Sequence, residues 1–78
     1  MAEIKINQSL DLKNTPCPMN FVRVKLKLEE MSKGEILEVF LDDGDPIVNV
    51  TASVKEEGHQ ILGVEQLKDC WKLIVKRL

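Results

Sequence analysis

Residues 18–41, with the sequence PMNFVRVKLKLEEMSKGEILEVFL, contain the pattern that decides the fold. In the first half, apolar residues recur every three or four positions, as on one face of a helix: Phe21, Val24, Leu28 and Met31. Val22 and Leu26 widen this apolar stripe. Pro18 suits the first helical position and Gly34 suits a C-terminal stop. Every second residue from 37 to 41 is then aliphatic. The segment therefore predicts a helix over residues 18–32 and a strand over residues 35–41.

The flanking sequence adds a strand before this unit and a helix and two strands after it. Residues 4–12 alternate in polarity and predict the first strand. Asp45-Pro46 is typical of an N-cap followed by a first-turn proline, and Gly58 of a helix C-cap, which outweighs the β-branched residues between them. Residues 61–66 and 70–77 predict an antiparallel hairpin. The order β-α-β-α-β-β predicts an α+β fold, a two-layer sandwich with two helices on one face of a four-stranded mixed sheet.

Length and composition predict a single folded domain over residues 1–78. Hydrophobic residues make up 44% of the chain, and no repeat or linker interrupts it. The formal charge of -2 and the pI near 5.3 argue against direct binding of nucleic acid or of a membrane surface. No apolar run is long enough for a membrane span, and the N-terminal residues do not resemble a signal peptide. We therefore expect a cytoplasmic protein whose two cysteines stay reduced.

The segment TPCPMN, residues 15–20, carries the chemistry. A residue that precedes proline is disfavoured in the helical region, so Pro18 keeps Cys17 extended where the helix begins. Cys17 is thus expected at the N-cap position or beside it, facing the positive end of the helix dipole and backbone amides that include those of Met19 and Asn20. This placement favours the thiolate, which is the nucleophilic form. Taken alone, the segment is equally compatible with an inert packing cysteine.

The motif CPMN at residues 17–20 resembles that of the TusA/SirA family of sulfur carriers. Further similar segments are LDL at residues 10–12, GE at 34–35, DD at 42–43 and GH at 58–59, so the resemblance covers almost the whole chain. It implies the sandwich described above, a fold similar to the C-terminal domain of translation initiation factor three. It also implies that Cys17 is the catalytic, sulfur-bearing residue, supported by Pro18, Met19 and Asn20.

What the resemblance implies about function is a sulfurtransferase-type carrier that relays sulfur as a persulfide between proteins, without a cofactor. The donor would be a cysteine desulfurase, a rhodanese-like protein or a DsrE-like protein. The protein acceptor would lead towards tRNA thiolation, molybdenum cofactor assembly or sulfur oxidation. Direct nucleic-acid and membrane partners are not expected.

Two departures from the family pattern keep an alternative open. The second proline of the Cys-Pro-x-Pro motif is replaced by Asn20, and the usual Gly-Leu before the cysteine is absent from residues 14–16. The alternative is a non-catalytic regulatory or protein-binding module of the same fold. Asn20, taken as the third helical residue, restores an N–H that we predict to donate to the Cys17 sulfur. An RNA-binding domain is disfavoured by the acidic charge and the few aromatic residues.

The other candidate residues can each be interpreted as structural or solvent-exposed residues as well as functional ones. Arg23 and Lys27, four residues apart, form either a solvated helix face or a docking site for an acidic protein surface. His59 is interpreted as a structural hydrogen-bonding residue, and Cys70 as a surface or edge cysteine. No spacing of ligand residues predicts a metal site.

Two further groups of residues are interpreted from their positions along the strands. The acidic group after the second predicted strand is interpreted as turn and capping chemistry: Asp42, Asp43 and Asp45. Three apolar residues are predicted on the sheet face away from the helices, where they could form a partner contact: Ile36, Phe40 and Ile74.

Overall fold

The structure is a computed structural model that describes residues 5–16 and 18–78. Its strands and helices follow one another in the predicted order: β1 (Gln8–Asp11), α1 (Met19–Glu30), β2 (Ile36–Leu41), α2 (Asp45–Glu56), β3 (Gln60–Gln66) and β4 (Trp71–Lys76). In the part of the chain so described, no helix is long and apolar enough to cross a membrane.

The four strands form one mixed sheet in the order β1-β2-β4-β3. β1 pairs in parallel with β2, Leu10 lying opposite Val39. β4 pairs antiparallel with both β2 and β3, so the last two strands form the predicted hairpin. The ends of β1 and β2 that lead into the helices therefore lie at the same edge of the sheet. The predicted fold, β-α-β-α-β-β with two helices and a four-stranded mixed sheet, is confirmed.

The core lies between the helices and one face of the sheet. Alternate residues of β2 and β4 are fully buried there, as the period of two predicts: Leu37, Val39, Leu41, Leu73 and Val75. Each helix covers them with residues spaced three or four apart: Val24, Leu28 and Met31 from α1, and Ile47, Val50 and Val54 from α2. Val22 and Leu26, expected to widen the buried apolar face of α1, are exposed instead.

The helices begin close to the predicted positions but with different N-caps. Pro18 is the N-cap of α1 rather than its first helical residue. Gly44 is the N-cap of α2, so Asp45 is the first helical residue rather than the cap. In both helices the proline stands one or two positions from the helix start, where its missing N–H removes no intrahelical hydrogen bond.

β1 is clearly shorter than predicted, and β3 contains an irregularity that the sequence did not predict. β1 starts at Gln8, and residues 5–7 before it are not strand; residue 4, the predicted start, lies outside the described residues. β3 has a register shift between Ile61 and Gly63, where one extra residue bulges from the ladder.

Cys70 is buried, with 8% of its surface exposed, so the expectation of a surface cysteine was wrong. It lies in the turn before β4, where its carbonyl accepts the Leu67 N–H (2.8 Å).

Polar side chains of the strands cover part of the sheet face that points away from the helices. Ile74 is buried there, while Ile36 and Phe40 are half-buried, which confirms the predicted faces but not a wide apolar patch. Lys72 pairs with Glu65 across the hairpin at 3.0 Å. The hydrogen bond and charge of Glu65 raise the pKa of Lys72, and Glu38 adds to this.

Candidate functional site

Cys17 itself lies outside the described residues, so the site is defined by the residues on each side of it. Pro16 and Pro18 are exposed, and Pro18 caps α1 with φ -93° and ψ 10°. The predicted catalytic thiol thus belongs, in sequence, immediately before the N-cap of a 12-residue helix. That helix has Lys27 in its last turn, which complements the negative end of the helix dipole.

The backbone N–H of Asn20 has an acceptor in the residue that precedes Cys17. Asn20 is the second helical residue, and its N–H donates to the Pro16 carbonyl at 3.1 Å. The Val22 N–H donates to the Pro18 carbonyl, also at 3.1 Å. The expectation that Asn20 is the third helical residue was therefore wrong, and its N–H has the Pro16 carbonyl as an acceptor. The predicted donation to the Cys17 sulfur falls on a residue outside the described ones. The bond between Asn20 and Pro16 joins the residues on both sides of Cys17.

The Asn20 side chain has a role that the sequence did not reveal. It is completely buried, and its Oδ1 accepts the Phe21 N–H at 2.6 Å. Phe21 packs against the core beside it. A buried polar side chain at this position fixes the first turn of α1 from inside the domain.

The segment that leads into Cys17 is a turn in which three successive N–H groups have acceptors. The Lys13 N–H donates to the Asp11 carboxylate (3.1 Å), and the Thr15 N–H donates to the Leu12 carbonyl (3.2 Å). Between them, the Asn14 N–H donates to Oδ2 of Asp42 (2.7 Å). Asn14 has a φ of 64°, in the left-handed region that the third residue of a type II turn requires. Asp42 therefore ties the turn to the end of β2.

The other two acidic residues of the β2–α2 connection have different roles from the predicted turn and capping chemistry. Asp43 accepts the indole N–H of Trp71 at 2.7 Å. Asp45 stands in the first turn of α2, where a carboxylate complements the helix dipole. Asp42 differs from both, because it binds the segment before Cys17. Sequence reasoning grouped the three and did not separate their partners.

The outward face of α1 carries an apolar stripe that starts two residues after Cys17. We call Met19, Val22 and Leu26 the α1 stripe: they are spaced three and four apart and lie opposite the buried face of the helix. Leu26, the most exposed, has 54% of its surface accessible. Single exposed apolar residues are ordinary, but three aligned on one helix face form a continuous surface.

Basic residues border the α1 stripe. Arg23 is exposed and has no salt bridge within residues 5–16 and 18–78. Lys27 is half-buried and pairs with Glu30 at 3.5 Å, and Lys25 reaches Glu57 at 3.8 Å. The predicted docking residues Arg23 and Lys27 therefore share one helix, but Arg23 is the better placed to meet an acidic partner.

The remaining candidates lie elsewhere in the fold. His59 accepts the Leu78 N–H at its Nδ1 (3.3 Å), the structural type of role predicted for it. An apolar groove of about 510 Å³ runs between α2 and β3, with Val48, Val64 and Trp71 in its walls. None of the described residues of segment 15–20 lines this groove. The described part of the site therefore lies away from this groove.

Comparison with known families agrees with this geometry. The profile of the family described as Sulfurtransferase TusA matches residues 8–77, almost the full length of the chain. The chain belongs to the TusA family. The match spans all six strands and helices and includes Cys17 and the β2–α2 connection that holds Asp42.

Curated relatives and a solved structure extend the comparison. A protein of Archaeoglobus fulgidus, named "Putative sulfur carrier protein", is 41% identical over 76 residues, 96% of this chain and 86% of the relative. A protein of the same name from Thermotoga maritima is 34% identical over 97% of this chain and 98% of the relative. The crystal structure of a SirA-like protein from Desulfitobacterium hafniense superposes with a TM-score of 0.77 at 20% identity, covering 88% of this chain and 95% of that one. That likeness shows the shared fold.

Proposed function

We propose that this TusA-family chain is a sulfur carrier that holds sulfur as a persulfide on Cys17 and passes it between protein partners. The observation that carries the proposal is the family match over residues 8–77, which includes a cysteine just before the start of a helix. The names of the curated relatives point to the same function.

The chemistry is an exchange between thiols and persulfides. The Cys17 thiolate attacks the terminal sulfur of a donor persulfide, the donor S–S bond breaks, and the donor cysteine leaves as a thiolate. Cys17 then carries the terminal sulfur until an acceptor nucleophile attacks it and Cys17 leaves in turn. Each step forms one bond to sulfur and breaks one, so no external oxidant or reductant is required.

The N-terminus of α1 supports this chemistry electrostatically. The positive end of a helix dipole stabilises a nearby anion by about 0.3–1 kcal/mol at a surface. Both the Cys17 thiolate and the persulfide anion carry the charge that benefits. Pro18 and the amides of Met19 and Asn20 belong to the turn that provides this end of the helix.

The partners are proposed to dock on α1 around Cys17. The α1 stripe provides apolar area that starts two residues after Cys17, and Arg23 with Lys27 provides positive charge that would steer an acidic surface. The donor would be a cysteine desulfurase, a rhodanese-like protein or a DsrE-like protein. The acceptor would act in tRNA thiolation, cofactor assembly or sulfur oxidation.

Intact-protein mass spectrometry after incubation with a cysteine desulfurase and cysteine tests the proposal. Wild type and Cys70→Ala should each gain the mass of one sulfur atom, reversed by a reductant, whereas Cys17→Ser should gain none. Cys70→Ala is the matched control, because the second thiol is buried and alanine suits an apolar site. If rhodanese-like and DsrE-like donors also fail to load the wild type, the non-catalytic binding module becomes the better interpretation, favoured by Asn20 in place of the second motif proline.

A further inference from the structure

The turn before Cys17 is held at its centre by a residue from another part of the chain. Two of its N–H groups, those of Lys13 and Thr15, donate to acceptors within residues 11–12. The Asn14 N–H instead donates to Asp42, 28 residues away, at 2.7 Å. Asp42 directly follows β2 and is half-buried. Its carboxylate is thus the contact that fixes the tip of this turn to the sheet.

The conformation of Asn14 explains why such a contact is needed. A side-chain-bearing residue at φ 64° is less stable than in the ordinary regions, and it persists where surrounding contacts favour it. A charge-assisted hydrogen bond to a carboxylate is among the stronger contacts available to a backbone N–H. Leu12, buried next to the turn, holds the other side through its N–H to the Phe40 carbonyl (2.9 Å).

Little chain separates this anchor from the proposed nucleophile. Only Thr15 and Pro16 stand between Asn14 and Cys17, and the Pro16 carbonyl already accepts the Asn20 N–H from α1. The backbone is therefore fixed on both sides of Cys17, by Asp42 upstream and by the first turn of α1 downstream. Freeing Asn14 would leave the upstream side held only by contacts within the turn itself and at Leu12.

We propose that Asp42 is a positioning residue that sets the reactivity of Cys17 by holding the turn at Asn14 in its left-handed conformation. This inference rests on the proposed function for its biological meaning, since it concerns the same thiol. Asp42 acts through the backbone of residues 13–16.

The Asp42 carboxylate should act on the reactivity of Cys17 in two opposite ways, through its hydrogen bond and through its charge. Variants that separate the two effects therefore test the inference. A carboxylate near a thiolate disfavours the anion, so removing its charge alone should leave Cys17 as reactive or make it more so. Removing its hydrogen bond should make Cys17 less reactive, because the turn that leads into Cys17 is then no longer fixed to the end of β2. Asp43 provides the matched control: its carboxylate belongs to the same connection but binds Trp71 instead of residues 13–16.

The experiment measures the rate of Cys17 alkylation by iodoacetamide between pH 5 and 10, in a Cys70→Ala background, for Asp42→Ala, Asp42→Asn and Asp43→Ala. Asp42→Ala should lower the rate at neutral pH about three- to tenfold, a factor within the range expected for the loss of one typical hydrogen bond. Asp42→Asn keeps an acceptor oxygen and should restore most of the rate. Asp43→Ala should react at least as fast as the background protein.

An unchanged rate in Asp42→Ala, or an equal loss in Asp43→Ala, would overturn the inference. If Asp42→Ala melts below the assay temperature, Asp42→Glu replaces it, since it keeps the charge but moves the carboxylate by one methylene. That variant should also react more slowly, and a rate equal to the background would count against the inference. Because alkylation needs no sulfur donor, failure of the wild type to accept sulfur would refute the proposed function without affecting this comparison.

Discussion

Asn20 shows how one residue can replace the structural role of a proline by hydrogen bonding. Proline restricts the first turn of a helix through its ring and offers no N–H. Asn20 instead donates its N–H to Pro16 and accepts the Phe21 N–H with its buried side chain. The first turn of α1 is thus fixed by hydrogen bonds where the family motif usually has its second proline.

Asn20→Ala is expected to destabilise the domain by about 1–3 kcal/mol, since it removes a buried hydrogen-bonding side chain. Urea unfolding followed by circular dichroism measures the loss. The matched control is Asn49→Ala, an exposed asparagine within α2, which should change the free energy of unfolding by no more than about 0.5 kcal/mol. Equal effects of the two variants would show that the Asn20 side chain contributes little.

At the residue scale, the nucleophile could be predicted from the sequence more readily than the contacts around it. The choice of Cys17 follows from its neighbouring prolines and the family motif, both of which are local. The Asn14–Asp42 hydrogen bond joins residues 28 positions apart, and the identity of its acceptor depends on how β1 and β2 align. Three aspartates in one short segment offer equivalent chemistry, so sequence alone does not say which one binds the turn.

At the scale of elements, α2 forms against the intrinsic preference of its β-branched residues because of its ends and its buried face. Val50 and Val54 are fully buried against the sheet, a gain that exceeds the small cost in helix propensity. At the C-terminus the His59 N–H donates to the Val54 carbonyl and the Gly58 N–H donates to the Lys55 carbonyl. This pair of bonds is a Schellman motif with Gly58 at φ 91°.

Gly58→Ala is expected to lower the free energy of unfolding by about 1–2 kcal/mol. For a domain of this size, each kcal/mol lowers Tm by roughly 4–8 °C. A Cβ at Gly58 meets no atom within 4 Å, so the cost comes from the backbone conformation alone. Gly63→Ala is the matched control, since a Cβ there is equally unhindered and Gly63 does not have a positive φ. Thermal unfolding of both variants should therefore show a loss only for Gly58→Ala, and an equal loss would argue against the motif.

Element types were predictable because the apolar periods of α1, β2 and β4 are long and regular. Element ends were less so, because they depend on individual hydrogen bonds. Pro18 and Gly44 are the N-caps, whereas Cys17 or its neighbour and Asp45 were predicted, because local sequence alone does not fix a helix start to the exact residue. The burial of Cys70 depends on the turn before β4, which the alternation of strand residues does not describe.

The surface of the whole molecule has regions that differ in polarity and charge. The helices cover one face of the sheet, and the salt bridge between Lys72 and Glu65 covers part of the other. The chain is acidic overall, yet the middle of α1 is basic and borders the α1 stripe. An acidic partner would therefore be attracted to α1 rather than to the protein as a whole.

Leu26→Gln is expected to weaken sulfur loading from the donor protein about fivefold, which corresponds to the roughly 1 kcal/mol typical of truncating a contributing interface residue. The loss should appear as a higher donor concentration for half-maximal loading, because Leu26 lies away from the thiol in sequence and on the outward face of α1. Initial rates of persulfide formation, measured by mass spectrometry over a range of donor concentrations, provide this value.

Val48→Gln is the control that separates docking from general surface polarity. Val48 is exposed on α2, more so than Leu26 on α1, and the substitution is equally polar. Both variants should keep the wild-type Tm, since neither side chain belongs to the core. Slower loading by Leu26→Gln but not by Val48→Gln would place the donor on α1. If Arg23→Gln also slows loading, and the difference from the wild type disappears at high salt, the donor surface that meets α1 is acidic. Equal loading by Leu26→Gln and the wild type would mean that the donor reaches Cys17 without contacting the α1 stripe.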